Sequence, residues 1–167
     1  RDRYITNTIR LVNTNAGRDE ISQTRARITL VDGSVFEGLS FDSETPVSGE
    51  VVFSTGMTGY TEALTDPSFR GQFLTLTYPM IGNYGVPDPS KMDDFGLSRQ
   101  FESDRIHASA LICQDYSYTW SHWDAKMSLG DWLKSQNVPG ISGIDTRLLT
   151  KKIRKEGAIL GKIEFEG

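Results

Sequence analysis

Cysteine occurs once and histidine twice in these 167 residues, and both scarcities exclude chemistry. A single thiol forms no internal disulfide, which points to a reducing compartment. His107 and His122 have no histidine or cysteine at metal-ligand spacing, so no zinc site is expected. No apolar run approaches the roughly 18 residues that a membrane-spanning helix needs, and no membrane partner is expected. The G-x-G-x-x-G, G-x-x-x-x-G-K-[ST] and G-x-S-x-G signatures are all missing, which removes the commonest nucleotide sites and the serine-hydrolase elbow.

What is present describes a soluble globular chain, 37% hydrophobic and 24% charged. Its length suits one domain with a real core rather than two. The net charge of -4 is unevenly spread. Residues 1–27 carry six arginines against Asp2, Asp19 and Glu20, whereas the rest is acidic. An acidic body repels phosphates, so no nucleic-acid partner is expected. Residues 1–25 are polar and without hydrophobic period, and read as a leader or disordered arm; residues 26–167 read as one domain. Arg-rich leaders can be mitochondrial addresses, although such peptides are usually poor in acids.

From Arg27 the pattern is β-like. Ile28, Leu30 and Val35 flank Asp32-Gly33, a dipeptide suited to a tight turn, which predicts a hairpin of 27–31 with 34–41. A short strand is expected over Glu50–Ser54 and one helical turn over Tyr60–Leu64, stopped by Thr65-Asp66-Pro67. Alternation predicts strands over Gln72–Tyr78 and Ile106–Gln114, with a short helix near Asp93–Phe101 between them. Ser128 is placed to cap a helix through Gln136, with Leu129, Trp132 and Leu133 on one face. Asp145-Thr146 opens a final helix whose expected buried stripe is Leu148, Leu149 and Ile153, with Gly157 as its stop. Ala158–Phe165 closes the chain as a strand. The fold class is α/β and rich in β, with two or three helices.

The stretch GMTGYTEALTDPS, Gly56–Ser68, packs glycines, hydroxyls, a carboxylate and a tyrosine between apolar runs, yet holds no histidine, cysteine or lysine that could start a reaction. Its glycines read as turn residues rather than as a phosphate cradle. Cys113 lies inside an apolar strand, where a buried and inert thiol is expected. His107 is placed on one strand face, and His122 sits in the aromatic loop Trp120-Ser121-His122-Trp123; structural packing is expected of both. The basic run Lys151-Lys152-Ile153-Arg154-Lys155 suits a solvated helix end that complements its own dipole. Arg147, in the first turn of that helix, is a cation at the wrong pole, so a carboxylate should hold it, either within the domain or across an interface.

Several long motifs in order carry a resemblance. GEVVFSTGMTGYTEALTDPSFRGQFLTLTYPMIGNYGVP, followed by SHW and by GISGIDTRLLTKKIRKEGAILGKI, closely resembles the N-terminal domain of the carbamoyl-phosphate synthetase small, or glutamine-amidotransferase, subunit. The resemblance runs from about Arg27 to Glu166 and implies a swivelling β/β/α domain. It implies as partners a glutaminase domain, whose cysteine sits in a G-x-C-x-G elbow, and a synthetase part to which ammonia passes. That part uses bicarbonate, ATP and Mg; no cofactor is implied for this domain. No G-x-C-x-G occurs here, and the family's second domain would begin after Gly167, so the resemblance implies a fragment with no catalytic residue and no glutaminase activity of its own. It assigns Ser68, the serine of the T-D-P-S motif, to substrate glutamine at the domain boundary. The LTYP and IGNYGVP forms, with Tyr78 and Tyr84, look most like the cytoplasmic multifunctional pyrimidine-pathway enzymes of eukaryotes. A mitochondrial urea- or arginine-pathway relative and a stand-alone interaction domain are the alternatives.

Overall fold

The computed structural model describes residues 23–41, 43–56, 59–78 and 80–166. Residues 1–22 of the expected arm lie outside the described residues, and Arg25 already opens the first strand. The elements are β1 Arg25–Leu30, β2 Val35–Ser40, β3 Val47–Ser54, α1 Tyr60–Thr65, a 3-10 turn Pro67–Phe69, β4 Gln72–Leu76, β5 Met80–Ile81, β6 Val86–Pro87 and β7 Ala110–Ile112. They continue with β8 Asp115–Tyr116, β9 Ala125–Met127, α2 Leu129–Ser135, β10 Gly140–Ser142, α3 Thr146–Glu156 and β11 Ile159–Phe165.

Seven strands close into a barrel in the order β1-β11-β3-β4-β7-β10-β2. The hairpin β1–β2 forms as its turn chemistry predicts. Gly33 takes a φ of 87°, and the Asp32 carboxylate accepts the Ser34 N–H at 2.9 Å. Lys152 of α3 reaches this turn and pairs with Asp32. Hydrogen bonds from Lys152 and from Ser34 hold the Asp32 carboxyl down at about 2. One lysine of the basic run therefore ties helix to hairpin, and also meets Glu156 at 3.2 Å, whereas Lys151 and Lys155 are exposed.

β3, β4, β7 and β10 run parallel to one another, and the two in the middle are buried on both faces. Along β4 and β7, Phe73, Ala110 and Ile112 point into the barrel and meet Ile28, Val51, Ile141, Ile159 and Ile163. Their alternates Leu74, Leu76 and Leu111, with Cys113 beyond, point outward into a second core under Leu64 of α1 and Leu129, Trp132 and Leu133 of α2. One parallel pair thus separates two apolar clusters. Strand β1, by contrast, alternates buried and exposed residues along most of its length.

Helix α3 packs Leu149 and Ile153 into the barrel cluster. Its buried set is Thr146, Leu149, Thr150 and Ile153, spaced i, i+3, i+4 and i+7. Leu148, expected in that stripe, is 55% exposed, because two threonines complete the face that the sequence pattern assigned to a leucine. Ser128 caps α2 by accepting the Asp131 N–H at 3.0 Å, as expected.

Two expected elements change. No helix forms near Asp93–Phe101. Asp93 accepts the N–H groups of Phe95 and Leu97, both at 2.9 Å, and Met92 bridges Ser98 in a tight turn. The aspartate side chain competes for the donors a helix would use, and Phe95 and Leu97 find no core to pack against. The strand expected over Ile106–Gln114 contracts to β7, since β4 and β10 offer pairing only there. Residues Ile106 and His107 instead donate to Gln136 Oε1 and to the Leu64 carbonyl, both at 2.8 Å.

Candidate functional site

The edge built from Gly59 to Arg70 follows β3 and precedes β4. Met57 and Thr58 lie outside the described residues. Helix α1 has only six residues, too few to persist alone, so its ends are held by tertiary contacts. Glu62 accepts the Gly59 N–H at 3.0 Å, and the Tyr84 hydroxyl accepts the Tyr60 N–H at 3.0 Å. The two rings stack with centroids 4.2 Å apart, and the Tyr60 hydroxyl donates to the Gly85 carbonyl at 2.5 Å. Gly85 holds a φ of 70° where an added Cβ would meet Ala125 at 2.9 Å, so the backbone that receives Tyr60 requires glycine. Burial raises both phenols above their ordinary range. They stay neutral at physiological pH and serve as hydrogen-bonding props rather than bases.

The C-terminal carbonyls of α1 are taken up by the incoming segment 102–108. Ser103 Oγ donates to the Thr65 carbonyl at 2.7 Å, the Glu102 N–H to Thr65 Oγ1 at 2.9 Å, and the His107 N–H to the Leu64 carbonyl. Asp66 then leaves the helix with ψ at 118°, as the residue before a proline should. Its carboxylate accepts the Ser68 N–H at 2.9 Å. Hydrogen bonding from the Ser68 hydroxyl and N–H, with His107 nearby, holds the Asp66 carboxyl below the usual carboxylate range. Ser68 is exposed, and no residue of its 3-10 turn is buried.

The same tripeptide recurs. In Asp88-Pro89-Ser90 the carboxylate again accepts the serine N–H at 2.9 Å, and also the serine hydroxyl at 2.6 Å. Asp32 with Ser34 and Asp93 with Phe95 make the same bond at 2.9 Å, so the turn is a local property of an aspartate two residues before its donor, and only its surroundings differ.

Other candidates fall apart from this edge. Cys113 is fully buried, and burial, with Asp115 behind it, pushes its thiol up; it is no nucleophile. His107 is half-buried on the Asp66 side. His122 is exposed, accepts the Asp124 N–H through Nδ1 at 3.2 Å and leans on Trp123. Arg147 is exposed and makes no ion pair among the described residues, so the carboxylate expected within the domain is not found there. A shallow groove between β3 and the end of α3, where Arg154 lies 5.2 Å over the Phe53 ring, is remote in sequence from Ser68 and holds no histidine or cysteine. Sequence reasoning missed the Tyr60–Tyr84 prop and the bond of Asp66 to Ser68. The second was readable, since aspartate two residues before a donor is an Asx-turn signature.

Residues 28–163 match the family described as carbamoyl-phosphate synthase small chain, CPSase domain. The chain is 56% identical over 137 residues to multifunctional protein ura1 of Schizosaccharomyces pombe, covering 81% of this chain and 6% of that protein. It is 54% identical over 143 residues to the mitochondrial carbamoyl-phosphate synthase [ammonia] of Aquarana catesbeiana, covering 85% and 10%. To multifunctional protein CAD of Squalus acanthias it is 54% identical over 142 residues, covering 85% and 6%. The chain thus spans a tenth or less of the length of these relatives. Among solved structures it is similar to an aminopeptidase from Aneurinibacillus sp. strain AM-1 at 14% identity and a TM-score of 0.44, covering 87% of this chain and 31% of that one, a likeness too slight to bear on function.

Proposed function

The chain belongs to the carbamoyl-phosphate synthase small-chain family, and on that premise we propose that it is the non-catalytic N-terminal domain of a glutamine-dependent carbamoyl-phosphate synthetase. The domain is of the swivelling β/β/α type. It packs on a glutaminase domain and on the synthetase part of the same enzyme, and supports glutamine hydrolysis and ammonia transfer. ATP and Mg serve the synthetase part, and none is held here. The carrying observation is the family match over residues 28–163. The setting proposed is cytoplasmic pyrimidine synthesis in a multifunctional enzyme. The 54% identity to a mitochondrial enzyme equals that to a multifunctional one, which keeps the mitochondrial reading as the second.

The isolated chain is expected to release no ammonia from glutamine, as a coupled ammonia assay would register. Turnover abolished by Cys113→Ser would overturn this. Ser68 is the proposed glutamine contact, supported by its exposure at the tip of a turn and by a hydroxyl that both donates and accepts. A hydrogen bond of this kind is worth about 0.5–1.5 kcal/mol, so Ser68→Ala in the full enzyme should raise the glutamine KM about two- to tenfold and spare ammonia-dependent synthesis. Equal loss with both nitrogen donors would contradict the assignment.

A further inference from the structure

We propose that Asp66 is the positioning residue for Ser68, fixing where that serine stands at the glutamine boundary; this rests on the reading of Ser68 as a glutamine contact. The reason is the poverty of other support. In the turn Pro67–Phe69 only Phe69 is half-buried, packed against the second core, while Pro67 and Ser68 are exposed, so the serine has no packing of its own. Among the described residues Asp66 supplies the side chain that bonds it, taking its N–H at 2.9 Å.

Asp66 itself is well placed for the role. The residue before it is clamped from the other side by Glu102 and Ser103, through Thr65 Oγ1 and the Thr65 carbonyl. Pro67 restricts the backbone between aspartate and serine. The chain of constraint thus runs from the outer core, where Leu64 is fully buried, through Thr65 and Asp66 to an exposed hydroxyl. Asp88-Pro89-Ser90 supplies an internal control, because it forms the same turn elsewhere on the surface.

The test is glutamine kinetics on full-length enzyme carrying Asp66→Ala, Asp66→Asn, Ser68→Ala, the double variant Asp66→Ala with Ser68→Ala, and Asp88→Ala. Asp66→Ala should raise the glutamine KM by about the factor that Ser68→Ala does, two- to tenfold, and the double variant should add little, since the two act as one unit. Asp66→Asn keeps an acceptor oxygen and should restore most of the affinity. Asp88→Ala should leave KM unchanged. Ammonia-dependent synthesis is the readout that a merely structural role would move. If Ser68→Ala raises KM and Asp66→Ala does not, or if Asp66→Ala lowers ammonia-dependent synthesis in proportion, the positioning role is overturned. If Ser68→Ala itself leaves KM unchanged, the underlying reading of Ser68 falls, and the positioning role falls with it.

Discussion

Phe73→Ala is expected to destabilise the domain by about 3–5 kcal/mol. Phe73 is fully buried on β4, inside the barrel, where its ring would lie 3.0 Å from any Cβ added at Gly49. Truncation removes the ring's transfer free energy and leaves a cavity walled by strands whose positions are set by ladder hydrogen bonds on both sides. β4 is paired with β3 and with β7, so neither wall can collapse to refill the space. Urea unfolding would measure the loss, with Leu148→Ala as the control. Leu148 is 55% exposed and should change stability by no more than about 0.5 kcal/mol. A cost below about 1 kcal/mol for Phe73→Ala would contradict the barrel interior described above.

Phe95→Ala combined with Trp123→Ala is expected to weaken the association of this domain with the rest of its enzyme by about 2–4 kcal/mol, or roughly 30- to 1,000-fold when the domain is supplied in trans. Phe95 is 88% exposed and Trp123 is 86% exposed, with Met92 and Leu97 also largely bare. The two segments adjoin, because Lys91 pairs with Asp124 and lies 5.3 Å over the Trp123 ring. These exposed side chains are aromatic residues, a methionine and a leucine, and aromatics and methionine are enriched at interfaces relative to the rest of a protein surface. Since neither side chain is buried in the domain itself, its unfolding midpoint should stay put while association falls. Unchanged association would remove this patch from the proposed interface.

The local pieces were open to sequence reasoning because their causes are local. Asp32-Gly33 makes its turn from side-chain and φ requirements, Ser128 caps its helix through one hydroxyl, and Pro67 ends α1 by steric exclusion. The errors came where a partner elsewhere decides. Asp93–Phe101 has the composition of a short helix, but Asp93 takes the N–H groups of Phe95 and Leu97, and those two side chains lie exposed. Ile106–Gln114 reads as one long strand, yet its neighbours pair with only part of it. Leu148 matched the apolar stripe of α3, but the barrel accepted Thr146 and Thr150 instead.

The two Asp-Pro-Ser tripeptides divide the matter most sharply. By itself the sequence determined the turn, twice and at the same 2.9 Å, because a carboxylate two residues before an amide reaches it through local geometry alone. The long ordered motifs likewise carried the family, which the match over residues 28–163 bears out. Only the tertiary structure decided that one turn follows a helix clamped by residues 102–107 while the other lies beside the exposed Lys91–Trp123 surface. It alone decided, too, that β4 and β7 separate two cores. Both outcomes depend on pairings between residues distant in the chain, for which no local signal exists, since a strand's alternation shows which side chains share a face but not what that face will meet.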